Sequence, residues 1–185
     1  MIKTDEELAK ATIQDNRNFN PLVERYTQKI RRYITHLTGN WQESEDITQE
    51  VFLLAYKNIA NFNYKMKFSA WLYRIAHNQS VNFIKKHYRV KNVEFDDQIQ
   101  NELIENIDYE DLIDKKISAR RVKAAVKKLK PKEQEIIYLY YFEEKKYEEI
   151  ADILQISINS IGPTIKRIKV KLKKIFLEKN DKIRR

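Results

Sequence analysis

The sequence contains no cysteine and, among 185 residues, only 2 glycines and 3 prolines. Without cysteine the chain can form neither a disulfide framework nor a thiolate metal site, which fits a reducing compartment. The scarcity of glycine and proline leaves few sharp turns and disfavours a β fold with many hairpins. The composition therefore predicts helices joined by short connections.

Long apolar runs are also lacking. The first ten residues, MIKTDEELAK, have no apolar stretch that could serve as a signal peptide. No segment approaches the roughly 18 apolar residues of a membrane-spanning helix. We therefore expect a cytoplasmic protein without membrane insertion. The hydrophobic fraction of 42%, with 8 Phe and 11 Tyr, still suffices for a packed core.

Histidine is scarce, with only His36, His77 and His87 in the chain. None of the three has a partner at the spacing of a metal site or a catalytic triad. An enzyme acting on nucleic acid is therefore the least favoured class. We expect no enzymatic activity, no metal or other cofactor and no small-molecule substrate.

The net charge of +9 is unevenly distributed along the chain. Residues 1–91 carry a net charge of +6, residues 92–114 carry nine acidic and no basic residues, and residues 115–185 carry +12. Basic surfaces attract nucleic acid or anionic membranes. The pattern predicts two basic lobes joined by an acidic linker.

The first lobe has helical periodicity. TDEE at 4–7 is a capping-box pattern, in which Thr4 caps the helix and Glu7 bonds back to it. Apolar residues then recur mostly at three- and four-residue steps, which predicts a helix face. They are Leu8, Ile13, Leu22, Val23, Tyr26, Ile30, Tyr33, Ile34 and Leu37.

Breaks in the periodicity divide this lobe further. Gly39-Asn40 ends the first run, and a second apolar run begins at about Ser44. The segment NFNYKMK at 61–67 has no period and predicts a loop, after which a helix resumes near Ser69. The first lobe is thus expected to be a helical bundle.

The second lobe contains a helix-turn-helix pattern over residues 147–172. Ala151 provides the small residue at which two helices cross, Gln155-Ile156-Ser157 forms the turn, and Ile161 packs the second helix onto the first. Pro131 suits the first position of an earlier helix. Ile165, Ile168 and Leu172 continue the buried side of the second helix. The opposite side is basic, as phosphates flanking a major groove require; it presents Lys166, Arg167, Lys169, Lys171, Lys173 and Lys174.

Two features of this pattern are unusual. Gln155 occupies a turn position where glycine is usual, and a left-handed backbone costs other residues about 1–2 kcal/mol. Pro163, following Gly162, would cost about 3 kcal/mol in a helix interior. This conflict is relieved if Ser160 caps the helix and Pro163 lies in its first turn. We therefore expect a bent or 3₁₀-like start around 157–162.

The segment FSAWLYRIAHNQSVNFIKK, residues 68–86, combines aromatic rings, amides and a basic end. Single-stranded DNA is bound by stacking and a cationic groove, and an extruded base by hydrogen bonds to its edge. This composition favours a surface for unpaired DNA. Aromatic residues at helical spacing are more often part of a core than a stacking surface, so Trp71 and Tyr73 also have a structural interpretation.

DITQEVF at 46–52 and FSAWLYRIAHN at 68–78, followed by YEEIADIL and SINSI in the second lobe, resemble bacterial sigma factors of the extracytoplasmic-function (ECF) group. The resemblance spans most of the chain in order and spacing. It implies an all-α protein with a helical domain at 1–91, an acidic linker at 92–114 and a helix-turn-helix domain at 115–185. It further implies promoter DNA and the clamp helices and flap of core RNA polymerase as partners, and an inhibitory anti-sigma protein.

The same resemblance assigns roles to residues. Asn78 matches a base-pocket asparagine and Phe62 a neighbouring loop aromatic. For the single-stranded −10 element the candidates are Phe62, Tyr64, Lys67, Trp71, Arg74, His77, Asn78, Lys85, Lys86 and Arg89. For the −35 duplex they are Ser157, Ser160, Thr164, Lys166, Arg167, Lys169 and Lys171. For polymerase they are Asp46, Gln49, Glu50 and Phe52, although a solvated helix face would have a similar composition.

A conventional helix-turn-helix repressor or activator is the alternative hypothesis. Its N-terminal lobe would serve dimerisation or sensing, and its palindromic site would have half-sites about one DNA turn apart. This alternative leaves Asn78 and the D-x-x-Q-E-x-F helix unexplained.

Overall fold

A computed structural model describes residues 3–87 and 125–181, with side chains described up to Ile175. Within these ranges the chain is helical and contains no β-strand. It divides into two compact units, the first comprising residues 1–99 and 152–154 and the second residues 100–151 and 155–185. The predicted linker at 92–114, the domain boundaries at 91 and 115, and Arg89 all lie outside the described residues.

In the part that the structure describes, residues 3–87, the first unit contains four α-helices. They are α1 (Asp5–Thr12), α2 (Asn20–Thr38), α3 (Trp41–Lys57) and α4 (Phe68–His87). A 3₁₀ helix, Asn16–Phe19, precedes α2, and another, Ile59–Asn61, follows α3. The predicted all-α bundle and the loop at 61–67 are confirmed.

Local sequence signals set the ends of these helices. The Glu7 backbone N–H donates to Thr4 Oγ1 at 3.2 Å, and the Thr4 N–H donates to Glu7 Oε2 at 2.8 Å, which completes the predicted capping box. Gly39 ends α2 in a left-handed conformation with φ of 67°. Asn40 then caps α3 through its Oδ1. Because of that cap, α3 begins at Trp41, three residues before Ser44, which is the start predicted from the apolar run.

One predicted core position is wrong. Ile13 was expected on the apolar face of the first helix, but its side chain is 53% exposed. The helix α1 ends at Thr12, and the 3₁₀ helix Asn16–Phe19 separates it from α2. Ile13 itself keeps right-handed helical geometry, with φ of −63° and ψ of −34°. It follows the buried Leu8 by five residues, and at 3.6 residues per turn that spacing places it about 140° around the helix from Leu8.

The core of this bundle lies among α2, α3 and α4. Leu22, Ile30, Val51 and Leu72 have no solvent-exposed surface. Burying an aliphatic side chain of this size contributes about 1.5–3 kcal/mol. This packing, rather than helix propensity, holds α4 against its neighbours.

Acidic residues of α1 fix the start of α4. The backbone N–H of Phe68 donates to Glu6 Oε1 at 3.1 Å and so satisfies one of the unpaired donors at the helix terminus. Asp5 accepts hydrogen bonds from Tyr26 Oη at 2.5 Å and from Arg25 Nη1 at 2.6 Å. The first helix thus connects α2 to the loop end of α4.

The second unit contains α5 (Pro131–Tyr141), α6 (Tyr147–Leu154), a 3₁₀ helix (Ile158–Ser160) and α7 (Ile161–Asp181). Pro131 occupies the predicted first helical position. The core includes Ile136, Leu139 and the predicted residues Ala151, Ile161, Ile165, Ile168 and Leu172. The helix-turn-helix interpretation of α6 and α7 is therefore confirmed.

The turn adopts the unusual geometry predicted for it. Gln155 is left-handed, with φ of 51° and ψ of 49°, and its N–H bonds to the Ala151 carbonyl. The 3₁₀ helix falls within 157–162, and Pro163 is the third residue of α7, where no intrahelical hydrogen bond is lost. Ser160 was expected to cap α7, and it lies immediately before the first residue of that helix. Its hydroxyl donates to the Ser157 carbonyl at 2.6 Å, a bond within the turn.

Candidate nucleic-acid and partner interfaces

A polar stripe runs along one side of α4. Arg74, Asn78, Asn82 and Lys85 follow one another at steps of four, four and three residues, which places them on one helix face. Arg74 is half-buried and the other three are exposed. The Asn78 carboxamide has no hydrogen-bond partner among the described residues, so both its donor and its acceptor face solvent. Asn82 was not among the residues predicted from the sequence, although it lies one turn beyond Asn78.

The aromatic residues near this stripe are mostly buried. Phe62 is 3% exposed, and its ring centroid lies 5.7 Å from that of Phe68 and 5.1 Å from that of Trp71. This corrects the expectation of an exposed Phe62 beside Asn78, because these contacts place it in the core. Trp71 is buried as well, consistent with its structural interpretation. Tyr64 is the predicted aromatic that remains on the surface, 42% exposed, with its ring 5.0 Å from Phe62.

Basic residues flank the stripe at both ends. Lys65 and Lys67 are exposed in the loop before α4, and Lys85 and Lys86 are exposed near its C-terminus. These four charges suit a polyanionic backbone that runs along the helix.

Side-chain contacts link the loop and the helix. Arg74 Nη2 lies 3.8 Å from Met66 Sδ and so joins the loop to α4. His77 is half-buried on the helix, next to Asn78. The loop that carries Tyr64 is therefore fixed beside the stripe.

Another exposed face lies on α3. Asp46, Gln49 and Glu50 are exposed as predicted, and Leu53, one turn further on, is 52% exposed. Phe52 was also predicted on this surface, but it is buried, with its ring centroid 6.4 Å from that of Phe19. The D-x-x-Q-E-x-F motif alone did not distinguish Phe52 from Leu53, and the packing of α3 decides between them. Leu53 is an exposed apolar contact one turn beyond the acidic and amide groups Gln49 and Glu50.

The helix-turn-helix presents exposed polar and basic residues. Ser157, Ser160, Lys166 and Arg167 are exposed, whereas Thr164, Lys169 and Lys171 are half-buried. Lys169 Nζ lies 5.8 Å from the ring centroid of Tyr141, a cation–π distance. The predicted basic face thus exists, but its cations differ in their surroundings.

Glu133 of α5 divides that basic face. Its side chain is 8% exposed, and Lys171 Nζ donates to its Oε1 at 2.6 Å. Arg167 Nε lies 3.9 Å from the same oxygen. In this structure the Lys171 ammonium is thus paired with Glu133, and its predicted contact with DNA stays a prediction. Glu133 was not among the residues predicted from the sequence, since it lies 38 residues from its partner.

The charge of Glu133 is stabilised by its neighbours. Burial alone would raise the pKa of the Glu133 carboxyl. The hydrogen bond from Lys171, the backbone bond from Lys130 and the charges of Lys171 and Arg167 outweigh burial and hold that pKa below its ordinary value. Glu133 is therefore an anion at neutral pH.

Across residues 3–87 and the described part of the second unit, no three His, Cys, Asp or Glu side chains are grouped so as to hold a metal ion. Among the helices described, none is both long and apolar enough to cross a bilayer.

Comparison with known families gives two matches, one in each unit. Residues 22–90 match the model of Sigma-70 region 2, and residues 119–172 match that of Sigma-70 region 4. The first match contains both the α4 stripe and the acidic face of α3. The second contains Glu133 and the helix-turn-helix.

Individual proteins extend the similarity over most of the chain. The chain is 32% identical to the ECF RNA polymerase sigma factor SigW of Bacillus subtilis, over 86% of its own length and 89% of that relative. It is 28% identical to the RNA polymerase sigma factor YlaC of the same organism, over 83% and 88% of the two chains. None of these similarities supports the repressor alternative.

Solved structures show the same fold. CnrH, solved in complex with the cytosolic domain of CnrY, superposes with a TM-score of 0.67 at 22% identity, covering 94% of this chain and 97% of the other. The sigma factor RpoE of Bartonella quintana, solved with the anti-sigma factor NepR, has a TM-score of 0.61 at 18% identity, with 86% and 96% covered.

Proposed function

This chain belongs to the ECF group of RNA polymerase sigma factors, which direct core polymerase to promoters, and on that premise we propose which of its surfaces bind DNA and which bind polymerase. The first unit captures the melted −10 element along α4. The second unit binds the −35 duplex through α7. The single observation that carries the proposal is the α4 stripe, in which the unpaired Asn78 carboxamide lies between cations.

Asn78 is the proposed base-recognition residue. A carboxamide both donates and accepts hydrogen bonds, so it can pair with the edge of a base that has left the duplex. Asn82 offers a second amide one turn away, and Tyr64 offers an exposed ring on which a base can stack. Lys67, Lys85 and Lys86 neutralise the DNA backbone.

The buried aromatic residues have a different role in this proposal. Phe62 and Trp71 pack beneath the loop, and their contacts hold Tyr64 and the start of α4 in position. They support the DNA-binding surface without touching the bases. The bond from Phe68 to Glu6 holds the same end of the helix.

The exposed face of α3 is the proposed polymerase-binding surface. Leu53 lies one turn beyond Gln49 and Glu50 and two turns beyond Asp46, so an exposed apolar side chain adjoins groups that suit basic and polar partners. Related sigma factors have been solved with anti-sigma proteins. We extend such an inhibitory partner to this chain, along with the polymerase flap for the second unit.

The helix-turn-helix is the proposed −35 reader. Lys166 and Arg167 are exposed on α7, and Ser157, Ser160 and Thr164 lie at its N-terminal end, where recognition helices meet base edges. Lys169 is half-buried on the same helix. In this proposal the protein is a non-enzymatic factor that acts in the cytoplasm, where polymerase and the chromosome are.

Transcription in vitro with core polymerase tests the assignment of Asn78. Asn78→Ala should lower the yield of open complex by about 5- to 150-fold, because a good bidentate contact to a base contributes about 1–3 kcal/mol. Assembly with polymerase should not change. Permanganate footprinting measures opening, and fluorescence anisotropy measures assembly.

Asn16→Ala is a matched control, since Asn16 is an exposed asparagine of the same unit outside α4. It should leave opening unchanged. Unaltered opening in Asn78→Ala would refute the role of Asn78. A wild-type chain that supports no promoter-specific initiation would refute the proposed function as a whole.

A further inference from the structure

We propose that Glu133 is a specificity-determining residue of the −35-binding unit, because it holds the Lys171 ammonium in an ion pair and so withholds it from DNA phosphates. The inference rests on the proposed function and deepens it. An acidic residue of α5 thus limits the sequence-independent affinity of α7 for DNA.

The geometry favours a persistent pair. The distance of 2.6 Å between Lys171 Nζ and Glu133 Oε1 is that of a short charge-assisted hydrogen bond. The other carboxylate oxygen, Oε2, accepts the backbone N–H of Lys130 at 3.2 Å in the capping box of α5. The carboxylate is therefore fixed from two sides and cannot follow Lys171 if that side chain moves to DNA.

Burial makes the exchange of partners unfavourable. Glu133 is 8% exposed, so removal of Lys171 would leave a desolvated carboxylate with a weaker partner, Arg167, at 3.9 Å. An unpaired buried charge is strongly destabilising. A phosphate contact in water returns much less, since it is screened by salt. Lys171 therefore remains with Glu133 when the unit binds DNA.

The consequence concerns discrimination between DNA sequences. Phosphate contacts increase affinity for every sequence equally, whereas base contacts separate one sequence from another. Lys166 is exposed on the same helix and can contact phosphates. Glu133 neutralises Lys171 and partly offsets the charge of Arg167. It thereby limits the sequence-independent affinity for DNA and preserves the ratio of specific to non-specific binding.

Salt-dependent binding of the full chain to a random-sequence duplex tests this inference. Glu133→Gln keeps an oxygen for the Lys130 bond but removes the charge. The logarithmic salt slope should steepen by about 0.9 for the phosphate gained by Lys171, which between 50 and 200 mM salt adds about 3.5-fold to the loss of affinity. Adding Lys171→Gln to Glu133→Gln should return the slope to the wild-type value.

Glu148→Gln is the matched control. Glu148 is an exposed residue in the first turn of α6, and its substitution changes the net charge by the same amount. Its slope should equal that of wild type. Equal slopes for Glu133→Gln and Glu148→Gln would overturn the inference, because the effect would then be one of net charge alone.

A measurement on the wild-type chain does not depend on the folding of any variant. In ¹⁵N spectra of lysine ammonium groups, Lys171 should exchange slowly and keep its resonance when duplex DNA is added, while Lys166 shifts. A Lys171 resonance that moves with DNA as Lys166 does would overturn the inference.

Transcription by the holoenzyme separates this inference from the proposed function. Random competitor DNA should inhibit promoter transcription more strongly with Glu133→Gln than with wild type or Glu148→Gln. Promoter-specific transcription by wild type with no difference among the variants would reject the role of Glu133 and leave the proposed function intact. Absence of promoter-specific transcription by wild type would reject the proposed function itself.

Discussion

Leu53 allows the proposed polymerase surface to be tested quantitatively. Its side chain is 52% exposed on the face of α3 that also presents Asp46, Gln49 and Glu50. Full burial of a leucine contributes about 1.5–3 kcal/mol, so covering the exposed half contributes about 0.8–1.5 kcal/mol. Leu53→Ala should therefore weaken binding to core polymerase by about 4- to 13-fold.

Fluorescence anisotropy with labelled protein and purified core polymerase measures this effect. Ile13→Ala is a closely matched control, because Ile13 is 53% exposed and lies in the same unit but outside α3. It removes a similar exposed apolar area and should leave polymerase affinity unchanged. Thermal unfolding of both variants shows whether a loss of folded protein contributes.

If Leu53→Ala and Ile13→Ala bind polymerase equally well, Leu53 is not in the interface and the α3 face is an ordinary solvated surface. If both weaken binding equally, the effect belongs to general exposure of apolar groups. Only a selective loss in Leu53→Ala supports the assignment.

Two further predictions concern the stability of the second unit. Because the pKa of Glu133 is lowered in the fold, its charge stabilises the protein at pH values above the ordinary pKa of 4.5, and this contribution is lost as pH falls through the lowered pKa. The difference in unfolding free energy between wild type and Glu133→Gln, measured by urea denaturation, should therefore shrink from pH 7 to pH 3. A difference that stays constant over this range would contradict the ion pair. Gln155→Gly should stabilise the unit by up to about 1 kcal/mol, since glycine adopts the φ of 51° without steric strain. If the variant instead has a lower denaturation midpoint than wild type, the Gln155 side chain stabilises the fold by more than its backbone strain costs.

Local sequence signals predicted the main features of the fold because they act over a few residues. The capping box at Thr4, the break at Gly39-Asn40 and the first-turn position of Pro163 each depend on neighbours within a single helical turn. The same holds for the left-handed turn at Gln155, which follows from the spacing between Ala151 and Ile161. Such signals do not require knowledge of which helices pack together.

The candidate site was only partly predictable, because exposure depends on packing. Phe62 and Tyr64 are two residues apart in one loop, yet one is in the core and the other at the surface. On α3, consecutive residues Phe52 and Leu53 differ in the same way, the first buried and the second exposed, and the motif that contains Phe52 favoured the wrong one as the exposed contact. Residue type alone could not settle either pair, since all four are apolar or aromatic.

Sequence patterns were sufficient to establish that this chain is helical, that its second half contains a helix-turn-helix and that its positive charge is concentrated in two blocks. The tertiary structure alone decided which side chains of those helices meet. The bond between Glu6 and Phe68 joins residues 62 positions apart, and that between Glu133 and Lys171 joins residues 38 apart. Helical periodicity fixes the face on which a residue lies, whereas partners this distant along the chain are brought together only by burial of the core.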